Sequence, residues 1–90
     1  MTVERVERIR TLLESAFSPE ALDVEDEGHL HVGHEGARGG LGHFRVMLVC
    51  EDFAGVPMLK RHRAVYAALG EMMQTDIHAL AIDAFASDEL

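Results

Sequence analysis

The chain has 90 residues, a single cysteine, six histidines and a formal charge of −8 at pH 7. Such a length makes one domain, residues 1–90, that buries roughly 60–65% of its unfolded surface; 48% hydrophobic residues argue against disorder. No apolar run can cross a bilayer, no signal-peptide pattern follows Met1, and the negative charge opposes general attraction to nucleic acid or anionic lipid. Cys50 has no partner for an internal disulfide, which suits a reducing cytoplasm.

Val3, Val6, Ile9, Leu13 and Ala16 recur at steps of three or four and predict an amphipathic helix over residues 3–17, stopped by Ser18-Pro19. Leu22-Asp23-Val24-Glu25 alternates as a strand with one wet face. The stretch from Gly28 to Gly42 follows, with six glycines and His29, His31 and His34. Repeated glycine disfavours a helix, so a flexible Gly/His-rich loop over 28–42 is expected, with too little apolar surface to offset its ordering entropy. His43 to Cys50 predicts an apolar second strand, and Glu51 to Pro57 a turn. Met58, His62, Val65, Leu69 and Met72, widened by Leu59, Tyr66 and Met73, predict a second helix. Over residues 77–85 Leu80, Ile82 and Ala84 fall on one strand face, and Asp88-Glu89-Leu90 reads as a frayed tail. The order helix-strand-strand-helix-strand makes a two-layer α+β domain with a three-stranded sheet and its helices on one face.

Candidate chemistry is sparse. Cys50 lies beside Glu51 and Asp52, whose charges raise a thiol pKa and make it a poor nucleophile. No nucleophile elbow, Walker loop, dinucleotide fingerprint or zincin helix occurs, so the chain is not expected to be an enzyme. Lys60-Arg61-His62-Arg63 is the one basic cluster. It reads either as a solvated helix turn or as a weak phosphate-contacting patch of Lys60, Arg61 and Arg63, too few cations for more than weak, salt-sensitive DNA binding. The loop histidines offer nitrogen donors suited to zinc, copper or nickel, although spacing on a loop fixes no geometry.

Taken together, Asp26-Glu27-x-x-x-His31, His43-Phe44-x-Val46, Phe53-x-Gly55, Leu59-x-Arg61-His62-Arg63-x-Val65-Tyr66-x-x-Leu69-x-Glu71-Met72 and His78-Ala79-Leu80-x-Ile82 resemble the BolA family across nearly the whole chain. The resemblance implies a small α+β domain likened to the class II KH fold. It also implies a monothiol glutaredoxin as partner and a shared [2Fe-2S] cluster, in iron-sulfur trafficking or iron regulation. A KH-like, nucleic-acid-binding transcriptional regulator of morphology or stress response is the alternative. In the family's cluster complex the glutaredoxin cysteine and glutathione supply thiolates, and the BolA partner supplies a C-terminal histidine and a loop histidine or cysteine. His78 matches the C-terminal ligand; His31, then His34, then His29 are the loop candidates, and no cluster is expected in the isolated protein. Gly28 stands where serine is common, and Leu41-Gly42 where Ser or Thr is usual. Neutral imidazole in place of thiolate raises a two-iron cluster's potential, and such ligation weakens as pH falls through the histidine range.

Overall fold

The apolar stripe of the first segment becomes helix α1, Thr2–Phe17, in a computed structural model that describes residues 2–27 and 42–90. Ile9 and Leu13 are fully buried, and Val6, Leu12 and Phe17 pack around them. Val3, expected on the same stripe, is exposed in the first turn of the helix. Ser18 ends the helix with φ 50° while its N–H donates to the Glu14 carbonyl, the left-handed close that a following proline reinforces.

The sheet has three strands in the order β1 (Ala21–Asp26), β2 (Gly42–Val49), β3 (Ile77–Phe85). The β1–β2 pair is antiparallel and the β2–β3 pair parallel. A parallel neighbour requires a crossover, and helix α2, Met58–Leu69, with the helical turn Met72–Thr75, supplies it. Alternation sends Phe44, Val46 and Leu48 of β2 into the core, opposite Leu80, Ile82 and Ala84 of β3. Burying each such aliphatic side chain contributes about 1.5–3 kcal/mol. Segment 77–85, whose alanines also suit a helix, is therefore a strand because its alternate residues match those of β2.

Two expectations are corrected. The C-terminus is not frayed: Ser87–Glu89 forms a 3-10 turn in which the Glu89 carboxylate accepts from the Ala86 N–H at 2.8 Å, and the Ser87 hydroxyl bonds Glu20. The expected stripe of α2 holds at Val65 and Leu69, and at Met72 beyond the helix, but not at its start. Arg61, Val65 and Leu69 face the core, whereas Met58, Leu59 and Tyr66 are exposed. The physical reason is Arg61, whose head finds enough hydrogen-bond acceptors inside to be buried in place of an apolar residue.

Candidate functional site

The first turn of β3 departs from regular pairing, and that departure builds the site. Gly42 pairs with Ile77 but His43 pairs with Ala79, so one step along β2 spans two along β3. His78 is the extra residue of a β-bulge. Ile77 and Leu80 both pack inward although three apart; strict alternation forbids that spacing, and the bulge permits it. His78 and Ala79 are consequently both exposed, on the sheet face away from the helices.

His43 occupies the same face. Its ring centroid lies 5.1 Å from that of His78, with the planes tilted by 52°. The two differ in exposure: His43 is 8% exposed and His78 is open. His43 thus walls one side of the His78 imidazole. A depression of about 270 Å³ beside it is lined by Glu27, His43, Phe44, Ala79, Leu80 and Ala81.

The backbone beneath the pair is pinned. The His43 carbonyl accepts from the Glu27 N–H at 2.7 Å, and the Gly42 N–H donates to the Asp76 carbonyl at 2.8 Å. The Asp76 carboxylate, one residue before β3, accepts from the Thr75 hydroxyl at 2.6 Å and from Arg5 of α1 at 3.1 Å. Those hydrogen bonds, the Thr75 hydroxyl first, hold its pKa below the usual carboxylate value. Helix α1 therefore fixes the start of the strand that carries His78. Two residues along from His43, Arg45 bridges Glu27 at 3.2 Å and Asp83 at 2.8 Å.

Of the sequence-predicted ligands, the structure places His78 alone. His29, His31 and His34 lie outside the described residues. Among the described residues no group of three or more His, Cys, Asp or Glu side chains could hold a metal ion, so His43 and His78 do not complete a site by themselves. His43 was a motif residue in the sequence but not a ligand candidate; its nearness to His78 follows from strand register, for which no local signal exists. Cys50 is buried and its thiol donates to the Phe17 carbonyl at 3.2 Å. Burial pushes its pKa up, the property of an inert thiol.

The basic cluster divides. Arg61 is 4% exposed. Its Nε donates to the Val56 carbonyl at 2.8 Å and its Nη1 to the Ala84 carbonyl at 3.0 Å. Nη1 and Nη2 form a bidentate pair with Glu89 at 2.6 and 2.7 Å, and Phe53 lies under the guanidinium. Arg61, with the Ala86 N–H, holds the Glu89 carboxyl down at about 2. Lys60 and Arg63 are exposed.

A family model described as BolA-like protein matches residues 13–89. The chain belongs to the BolA family. That family consists of non-catalytic regulators and adaptors. The fold is closely similar to the BolA domain of SufE1 from Arabidopsis thaliana, with a TM-score of 0.84 and 37% identity over 96% of this chain and 95% of that one. BolA-like protein 1 of Homo sapiens is 47% identical over 76 residues, covering 84% of this chain and 53% of that protein. The DNA-binding transcriptional regulator BolA of Escherichia coli (strain K12) is 40% identical over 83 residues, covering 92% of this chain and 76% of that protein. The chain spans about half the length of several curated relatives that it matches, and 22% of SufE-like protein 1 from Arabidopsis thaliana. No helix among the described residues is long and apolar enough to cross a membrane.

Proposed function

We propose that this chain is a cytoplasmic iron-sulfur adaptor that pairs with a monothiol glutaredoxin and lends histidine ligands to a shared [2Fe-2S] cluster. The observation that carries this reading is the bulge that turns His78 outward on a pinned backbone, with its imidazole backed by His43. A ligand offered to a cluster delivered by another protein has to be exposed and fixed in direction, and His78 is both. In this reading His31 is the first choice for the second donor and His34 the next. Glutaredoxin and glutathione contribute thiolates, and the bound cluster supplies one-electron chemistry and transferable iron and sulfide. This chain's residues present His78, hold its ring against His43 and anchor the strand through Asp76. Anaerobic co-expression with a monothiol glutaredoxin tests the reading: a coloured heterodimer with two irons and two sulfides is expected, and a colourless or absent complex would refute it.

A second reading, a KH-like regulator that contacts nucleic acid through Lys60, Arg61 and Arg63, is favoured by the DNA-binding relative from Escherichia coli. It is weakened by Arg61, whose guanidinium is already spent on Glu89 and two carbonyls. Two open cations in this patch, on a chain of charge −8, favour weak DNA binding that falls steeply with salt. A gel-shift titration showing tight, sequence-specific binding at physiological salt would reverse the order of the two readings.

A further inference from the structure

Helix α2 contains no acidic residue in a chain with 16 Asp and Glu. Its sequence MLKRHRAVYAAL sets Leu59, Arg63 and Tyr66 at i, i+4 and i+7, one face of the helix, opposite the buried Arg61, Val65 and Leu69. Leu59 is 62% exposed, Met58 51% and Tyr66 41%. Among the described residues Lys60 and Arg63 are the cationic side chains without an ion pair: Arg5 and Arg8 meet Asp76, Arg10 meets Glu7, Arg45 meets Glu27 and Asp83, and Arg61 meets Glu89. Leu59, Tyr66 and Arg63 thus share one exposed helix face of an acidic protein, with Lys60 flanking it on one side and Met58 on the other at the helix start.

We propose that this outer face of α2 docks an acidic protein segment that carries apolar anchors. Leu59 and Tyr66 would bury against those anchors, while Lys60 and Arg63 would meet carboxylates at the rim. Tyr and Arg are residue types enriched at interfaces. Charge complementarity selects the partner's sign. Charges elsewhere on the chain are screened over a Debye length of about 8 Å at physiological salt, which leaves the local pair of cations to orient the encounter. A nucleic acid fits less well, because exposed Leu59 and Met58 gain nothing from phosphates and two cations give little counterion release.

The surface is separate from the histidines. The α2 start is tied to Ala84 by Arg61, and although the helix returns toward the start of β3, it packs on one face of the sheet while His78 is exposed on the other. A partner on α2 therefore leaves His78 open, so one chain can hold two proteins at once. The inference does not depend on cluster ligation.

The test is amide NMR of the labelled chain with three probes. These are an amphipathic Leu/Glu peptide of about twenty residues, its Leu/Lys counterpart, and a duplex DNA of similar charge to the first peptide. The Leu/Glu peptide is expected to shift amides across Met58 to Ala67 and not those of His43 or His78. Leu59→Ser with Arg63→Glu should weaken that binding at least about tenfold without lowering Tm, since both side chains are exposed, and the Leu/Lys peptide should leave α2 unmoved. The proposal is overturned if the Leu/Glu peptide leaves α2 unshifted, or if the double substitution keeps its affinity. It is equally overturned if duplex DNA shifts the same amides at lower concentration, which would make the face a polyanion site, or if dilution alone moves them, which would make it a contact between copies of this chain.

Discussion

The two ends of β3 are both anchored, but in different ways. At the His78 end the ties run to backbone and neighbouring groups: Gly42 N–H to the Asp76 carbonyl, and Asp76 to Thr75 and Arg5. They fix the chain and leave the imidazole open. At the Ala84 end the anchored group is the side chain itself, with four of the five Arg61 N–H donors engaged by Val56, Ala84 and Glu89. A polar residue with most of its donors satisfied from within stabilises the fold and has little left for a ligand. One held by its backbone, with its head in solvent, can serve another molecule. Arg61 and His78 are both polar residues within recognised motifs, and the fold puts them to opposite uses.

The contrast can be broken most forcefully at Arg61. Arg61→Met leaves Glu89 without its counter-ion and the Ala84 carbonyl without this donor, and is expected to lower Tm by roughly 10 °C. Thermal unfolding by circular dichroism measures it. An unchanged Tm would mean that the Arg61 end does not carry stability.

Acid sharpens the same point. Glu89 sits at about 2 when folded, against about 4.3 for an unperturbed glutamate. Its contribution to stability is therefore fully present above the unfolded value and is lost as pH falls from there through about 2. Glu89→Gln should be less stable than the parent at neutral pH, with the difference closing as pH falls below about 4. Urea midpoints at a series of pH values report this, and a gap that stays constant into acid would contradict the folded-state pairing.

A smaller effect is expected at the other end. His43→Leu keeps an apolar-compatible volume at a buried position and should change stability by only about 1 kcal/mol. The His78 ring protons should nevertheless shift, because the neighbouring imidazole at 5.1 Å is gone. Unmoved His78 resonances would show that His43 does not support it. His78→Ala, at an exposed position, should alter stability by less than about 0.5 kcal/mol.

Much of the framework was legible because its signals are local. The periodicity from Val6 to Leu13 marks α1, alternation marks β1 and the inward residues of β3, and the BolA-like motifs span these elements. The bulge at His78 was not legible, since register belongs to two strands and neither alone records the extra residue. On α2 the stripe is legible at Val65 and Leu69 but not at Leu59, Arg61 and Tyr66, because hydrophobicity ranks Leu59 and Tyr66 as core and Arg61 as surface. Glu89, brought close by the end of β3, together with the Val56 and Ala84 carbonyls, reverses that order. The same contact explains why an acidic terminus that looks frayed is ordered. His43 stood in a recognised motif, yet its role beside His78 depends on the β2–β3 pairing.

The central claim is that His78 is the ligand presented by this fold. Pulsed EPR of the reduced, co-purified glutaredoxin complex tests it most directly, through the hyperfine coupling of histidine nitrogen to the cluster. In the parent complex that coupling is expected, and His78→Ala should remove the His78 contribution while the free protein keeps its Tm. Nitrogen coupling identical before and after the substitution would contradict the account.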